Sequence, residues 1–376
     1  MKKVGILGGG QLGRMLLQQA VNYPVETFVL EQEPDCPAAH LCHHFKTGNI
    51  LDYNTVLEFG RPLDAITIEI EAVNIDALEQ LEKEGVQVYP KPAALRILQS
   101  KILQKEFYQK HQIPTTDFVT TRNKQDLDQY RKFLPAVHKI SSGGYDGKGV
   151  TLLKTEADLS KGFDAPAVLE KMADIHQEIA LLAAVFPNGE TVLYPPVEMV
   201  FDPDLNLLDY QLCPARLGEP FLYKAEAIAL SLVKNLESPG IFAVEMFVTR
   251  QGEILVNETA PRVHNSGHHT IEASYSSQFD MLWRMLLDLP PGNTKSILPS
   301  VMINIIGSGV VSGPAVYLGL DQILKIDNAY IHLYGKKISK PGRKMGHITM
   351  ISSDTEELIF KAHRIRQMLK VVGSSI

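Results

Sequence analysis

Residues 139–150 read Lys139-Ile140-Ser141-Ser142-Gly143-Gly144-Tyr145-Asp146-Gly147-Lys148-Gly149-Val150, with four glycines inside one short span. The flanking runs, Ala136–Ile140 and Val150–Leu153, are short and largely apolar, and both read as strands. A glycine loop that joins two strands is not a Walker-type loop, which needs a helix after its glycines. It can instead fold over phosphates and donate several backbone N–H groups. Lys139, at the end of the incoming strand, can offset phosphate charge. Tyr145, Asp146 and Lys148 set an acid–base pair and a cation on a lid that closes over reacting groups. The plainer reading is a flexible hairpin tip.

Downstream, Ala243–Glu258 reads as a hairpin. With Gln251-Gly252 as a two-residue turn, Arg250 pairs with Glu253 and Glu245 falls directly opposite Glu258. Like charges so placed are destabilising unless a cation lies between them. Two carboxylates are what Mg²⁺ typically takes from protein, completing its shell with phosphate and water. The alternative is two glutamates on a solvated face. Phe247, Ile254 and Val256 share that face in this register and argue against it. In a regular strand Asn257 faces away from Glu258, so it joins the pair only through a bulge. The polar run Thr259–His268 follows and would lie beside the metal.

Upstream, the strand Val4–Leu7 runs into Gly8-Gly9-Gly10-Gln11-Leu12-Gly13, then a helix to about Ala20 and a second strand, Glu26–Leu30. The spacing satisfies a dinucleotide fingerprint, with Glu31 at the distance of a ribose-binding carboxylate. Taken alone, the motif leaves an NAD-type site and a bare strand-to-helix turn both open. Strands at Ala65–Ile70 and Val86–Tyr89 and a helix at Ile75–Lys83 complete a small parallel sheet. A helix over Ala94–Lys110 leads to the next unit, and from Gln177 onward strands dominate, with helices at Ala225–Asn235, Gln278–Leu287 and Thr355–Met368. The expected architecture is an α/β domain (1–95), a small domain bearing the glycine loop (96–175) and a C-terminal α+β domain (176–376). Lys336–Lys344 gathers cations around Pro341-Gly342, either a pocket for one substrate phosphate or a solvated loop.

The chain has 376 residues, 45% of them apolar and 21% charged, which is ordinary for a globular protein of two or three domains. A net charge of −6 disfavours a general nucleic-acid or membrane-surface role. The N-terminus shows no signal-peptide stretch and no run reaches membrane-span length. Three cysteines point to a reducing compartment, so a cytoplasmic location is expected. Cys36, His40, Cys42, His43 and His44 match no usual zinc spacing and lack a second half.

Four blocks together, GGGQLGRM (8–15), GGYDGKG (143–149), VNETAPRVHNSGH (256–268) and PGRKMGH (341–347), resemble the ATP-grasp enzymes of purine biosynthesis over nearly the whole chain. The resemblance implies an ATP-grasp fold with a Rossmann-like N-terminal domain. It implies an ATP- and bicarbonate-dependent ligase that converts 5-aminoimidazole ribonucleotide to its N5-carboxy derivative through carboxyphosphate, as a homodimer using Mg²⁺. Carried over by motif, Lys101 and Lys139 contact ATP phosphates beneath Gly144, Tyr145, Asp146, Gly147, Lys148, Gly149 and Val150. Glu170, Lys171, Met172 and Ala173 edge the adenine and Glu178 holds the ribose. Glu245 and Glu258 bind the metal, with Asn257 beside them. The ribonucleotide lies over Gln11 and Leu12 near Glu71, Arg262 and Asn265, with its phosphate on Lys336, Arg343 and Lys344. Tyr145, Asp146 and Lys148 are the catalytic candidates. The rivals are a formate-using ligase of the same fold and, from another class, an NAD-dependent dehydrogenase.

Overall fold

The computed structural model describes residues 1–144, 149–201 and 208–374. Five parallel strands open the chain: Lys2–Leu7, Val25–Glu31, His44–Thr47, Ala65–Ile68 and Gln87–Tyr89. In space they run third, second, first, fourth, fifth. Ala65–Ile68 is buried at every residue, as a parallel strand covered on both faces must be. Helices Tyr53–Gly60 and Ile75–Lys83 start where Asp52 and Asn74 accept backbone N–H bonds from Thr55 and Ala77. The strand order reverses between Lys2–Leu7 and Ala65–Ile68. The crevice at their carboxyl ends is where such sheets place ligands, and it holds the glycine turn and Glu69–Glu71.

The helical stretch expected over 94–110 is two helices, Pro92–Leu98 and Lys101–Lys110. Ser100 breaks it: its backbone is extended and its hydroxyl accepts from the Leu103 N–H, restarting the helix. A four-stranded antiparallel sheet follows, in the order Phe118–Thr121, Ala167–Lys171, Ala136–Ile140, Val150–Leu153. Lys139 pairs with Val150 at the mouth of the glycine hairpin.

A nine-stranded antiparallel sheet dominates the remainder. Its path runs Ile254–Ala260, Gly240–Thr249, Ile175–Val185, Val197–Phe201, Leu208–Cys213, Ser300–Ile306, Lys344–Ile351, Ala329–Leu333, with Thr191–Leu193 paired to Ile175–Val185. Strands Thr191–Leu193 and Val197–Phe201 are separated at Pro195-Pro196, where two successive residues lack N–H donors. No helix among the described residues is long and apolar enough to cross a membrane.

One apolar cluster ties the parallel sheet to the large one. It runs from Val4, Ile6 and Leu16 through Phe279 and Trp283 to Leu182, Ile241 and Ala243. Helix Gln278–Leu286 packs on helix Gln11–Ala20, and the Trp283 indole N–H donates to the Leu16 carbonyl at 2.7 Å. Trp283 is the only tryptophan in the chain and is fully buried. Trp283→Ala should therefore destabilise the protein by about 3–5 kcal/mol in urea denaturation followed by circular dichroism. A loss under about 1 kcal/mol would show that this junction contributes little to the fold.

Candidate active site

The Glu245–Glu258 pairing stands in the structure, but by a different route from the sequence-based register. The hairpin loop has three residues, Arg250–Gly252, closed where the Thr249 N–H donates to the Glu253 carbonyl at 2.9 Å. Gly252, at φ +81°, supplies the left-handed residue such loops require. Val248, Phe247 and Met246 then pair with Ile254, Leu255 and Val256, one residue out of the expected register. A bulge at Asn257 restores it, so Glu245 meets Glu258. The face neighbours change as a result. Val256 and Ile254 sit in the core with Met246 and Val248, on the side away from Glu245. Phe247 and Leu255 are the ones that share the glutamates' face. The outer edge of the bulged strand is held by the Pro114–Thr116 segment: the Val256 N–H donates to the Pro114 carbonyl at 2.7 Å, and the Thr115 hydroxyl to the Val256 carbonyl at 2.6 Å.

The bulge brings Asn257 beside Glu258 rather than away from it. Its Oδ1 accepts from Lys139 Nζ at 2.7 Å, and Lys101 pairs directly with Glu258. Lys139 also pairs with one oxygen of Glu170 at 3.0 Å, while Lys105 takes the other at 3.0 Å. Lys101, Gln104, Lys105, Lys139, Glu170, Asn257 and Glu258 thus line one small cavity. Among them Lys105 and Gln104 were not singled out from the sequence, and neither was Thr116, whose hydroxyl donates to Glu170 at 2.7 Å. The signal was present for Lys105, which lies four residues after Lys101 and so on the same helix face. Glu170 departs from expectation. Its side chain is 4% exposed and turned inward to the two lysines, rather than open along the strand's edge. Lys171 and Met172 are exposed along the same edge. Tyr145, Asp146, Gly147 and Lys148 lie outside the described residues.

Glu178 pairs with Phe247 across the sheet, which puts it on the same face as Glu245. Protein atoms crowd Glu245 and Glu258, although their side chains keep 20% and 40% of their surface open to solvent. Burial, then the neighbouring Glu258 and Glu178 charges, push the Glu245 carboxyl up to about 8. Burial works the same way on Glu258, but Lys101 outweighs it and holds that carboxyl below the usual range. Burial raises Glu178 to about 7. The hard oxygens of Glu245, Glu258 and Asn257 suit Mg²⁺, which would relieve the repulsion between them. Among the described residues no group of three or more His, Cys, Asp or Glu side chains could hold a metal ion, so such an ion needs ligand oxygens as well.

A second group of residues lies where the large sheet meets the parallel one. Arg262 pairs with Glu71 at 2.8 Å, and His264 Nε2 lies 3.8 Å from Glu245 Oε1, linking the two groups. Asn265 opens a short 3₁₀ turn capped by His264. Lys336 Nζ donates to the Lys344 carbonyl at 2.8 Å and Arg343 to the Ile338 carbonyl at 2.7 Å, which shapes the cationic loop. Lys337 pairs with Asp35 of the parallel-sheet domain at 2.8 Å. Leu12 departs from expectation: its side chain is buried and its N–H donates to Glu69 at 3.1 Å, leaving Gln11 as the half-exposed member of that turn.

The glycine turn binds its own carboxylates. Glu69 is buried beneath it, and a Cβ at Gly10 would lie 2.5 Å from Glu69 Oε1. The Gly9 N–H donates to Glu31 at 2.9 Å. The donors that a dinucleotide pyrophosphate needs at this helix N-terminus are thus engaged by acidic side chains, and the NAD reading loses its site. The Cys/His run is equally accounted for: His43 bonds Thr27, His44 pairs with Glu26, and Cys42 donates to the Ala39 carbonyl.

Residues 106–279 match the ATP-grasp domain family, residues 1–99 the ribonucleotide synthetase preATP-grasp domain, and residues 300–361 the phosphoribosylaminoimidazole carboxylase C-terminal domain. The N5-carboxyaminoimidazole ribonucleotide synthase of Aquifex aeolicus is 35% identical, with 98% of each chain covered. The chloroplastic phosphoribosylaminoimidazole carboxylase of Vigna aconitifolia is 36% identical over 94% of this chain, which spans only 65% of that protein's length. Among solved structures, N5-carboxyaminoimidazole ribonucleotide synthetase from Thermotoga maritima matches with a TM-score of 0.92 at 38% identity, covering 100% of both chains. The Aspergillus clavatus N5-carboxyaminoimidazole synthase, in complex with ADP and 5-aminoimidazole ribonucleotide, matches with a TM-score of 0.89 at 33% identity, covering 97% of this chain and 98% of its own.

The raised carboxyls make a pH signature. Without metal or nucleotide, the folded chain holds protons on Glu178 and Glu245 that the unfolded chain releases in the ordinary carboxylate range. Their contribution to stability is therefore present at low pH and lost as pH rises through about 7 and about 8. Thermal melts of the metal-free protein should fall over that window, and less so for Glu245→Gln. Parallel profiles for the two chains would contradict the assignment.

Proposed function

Because the chain belongs to the N5-carboxyaminoimidazole ribonucleotide synthase family of ATP-grasp enzymes, we propose that it carboxylates 5-aminoimidazole ribonucleotide on its exocyclic amine, using ATP and bicarbonate and releasing ADP and phosphate. The observation that carries this reading is the Glu245–Glu258 pair with the bulged Asn257 alongside, ringed by Lys101 and Lys139 next to the glycine hairpin. In it Glu245, Glu258 and Asn257 hold Mg²⁺, which supplies charge neutralisation on the triphosphate. Lys101 and Lys139 bind phosphate oxygens, and the segment Gly144–Val150 covers them. Lys171, Met172 and Ala173 border the adenine, and Glu178 holds the ribose. Gln11, Glu71, Arg262 and Asn265 hold the ribonucleotide, whose phosphate meets Lys336, Arg343 and Lys344.

Bicarbonate is a poor electrophile. An oxygen of bicarbonate attacks the γ-phosphorus, ADP leaves, and carboxyphosphate forms. The lysines stabilise the charge spread over the transferring group. Carboxyphosphate then parts into phosphate and CO₂, the amine nitrogen adds to the CO₂ carbon, and the amine proton passes to Asp146. Tyr145 and Lys148 orient the new carboxylate. Covering the site keeps carboxyphosphate from water. The reading includes a homodimer in the cytoplasm, which light scattering and fractionation test.

Phosphate release from ATP should require both aminoimidazole ribonucleotide and bicarbonate, and formate should not replace bicarbonate. Bicarbonate-independent turnover would refute the assignment. Asp146→Asn should lower turnover by about a hundredfold, within the range for loss of a general base, with ATP affinity little changed. Near-normal turnover would remove Asp146 from the mechanism.

A further inference from the structure

Lys105 is a buried ammonium that no contact with substrate accounts for. Its side chain is 3% exposed, and its three donors are all taken: Thr115 Oγ1 at 2.6 Å, Thr116 Oγ1 at 3.1 Å and Glu170 Oε2 at 3.0 Å. Fixed in this way, it lines the cavity but has no N–H left to offer a ligand. Glu170 is equally committed. One oxygen faces Lys105 and the Thr116 hydroxyl, at 2.7 Å, and the other faces Lys139 at 3.0 Å. Lys139 alone of the three extends onward, to Asn257 Oδ1 at 2.7 Å and the cavity beside Glu258.

Two ammonium groups on one buried carboxylate leave that trio one positive charge in excess, which the Glu178 and Glu258 carboxylates beyond Lys139 oppose. Burying net charge is costly unless something opposes it. Lys105 has no further partner to receive that charge, so it is expressed at Lys139, the member that lines the way to the paired glutamates. Without Lys105, the whole Glu170 charge would fall on Lys139 and draw its ammonium away from an incoming anion.

We propose that Lys105 is a positioning residue for nucleotide binding: by taking half of the Glu170 carboxylate it keeps the Lys139 charge available to the triphosphate. This rests on the reading of the cavity as an ATP site, and it adds a role for a side chain that never touches ATP. It also gives Glu170 a use other than bordering the adenine.

The test is a double-mutant cycle on Lys105 and Glu170, read by calorimetric titration with ATP in the presence of Mg²⁺ and by steady-state kinetics. Lys105→Met should weaken ATP binding by about tenfold to a hundredfold, the range that loss of one charged hydrogen bond spans, while KM for the ribonucleotide is unchanged. Adding Glu170→Gln to Lys105→Met should tighten ATP binding again, because Lys139 no longer faces an excess of negative charge. If Lys105→Met alone does not fold, comparing Glu170→Gln with the double variant still decides. In that background Lys105 has no carboxylate to share, and its loss should change ATP affinity less than about threefold, within the spread of independent sites. Equal weakening in both backgrounds, or a double variant weaker than Lys105→Met, would overturn the proposal. A wild-type chain that binds no ATP would overturn the ATP-site reading itself. Normal ATP binding by Lys105→Met would overturn only the role of Lys105.

Discussion

Two carboxylates on neighbouring strands, Glu245 and Glu258, face each other in register, and the surrounding structure is organised around their repulsion. Lys101 lies on Glu258, and burial beside Glu258 drives Glu245 toward its neutral form. Both are substitutes for a cation. A sheet face that carries such a pair is stable only with that compensation, and under the proposed function a metal–phosphate complex would take its place. The lysines that neutralise the glutamates are the same groups that a triphosphate would recruit.

The fold supplies the rest by bringing separate elements to one point. Helix Lys101–Lys110 contributes two cations from successive turns, and the small antiparallel sheet contributes Lys139 and Glu170 from adjacent strands. The Pro114–Thr116 segment clasps the bulged strand. On the far side, Arg262 and His264 follow the same strand out of the sheet and reach Glu71 and Glu245. The two groups of polar residues are therefore joined through one stretch of backbone, Asn257 to Asn265.

Much of this was legible from residue order. Apolar runs and periodicity placed the strands Ala136–Ile140 and Val150–Leu153 and the helix Thr355–Met368 at their observed bounds. The pairing of Glu245 with Glu258 followed from hairpin counting, although two offsets cancelled: a longer loop at Arg250–Gly252 and a bulge at Asn257. A bulge held by a distant segment leaves no local pattern in sequence, which is why Asn257 was expected to face away. Glu170 was placed at the adenine edge by the resemblance alone, which carries a position along the chain and not a side-chain direction. Its inward turn depends on Lys105 and Lys139, which come from other parts of the chain. The dinucleotide fingerprint misled for the same reason: its donors are met by Glu31 and Glu69 from neighbouring strands.

The central claim is that Glu245 and Glu258 share a divalent ion with the triphosphate. Anomalous diffraction from crystals grown with Mn²⁺ and a non-hydrolysable ATP analogue addresses it directly. The account predicts a manganese peak about 2.1 Å from oxygens of both carboxylates, with Lys101 displaced from Glu258 toward the phosphates. A bound nucleotide with no metal between those side chains, and Lys101 still on Glu258, would contradict it.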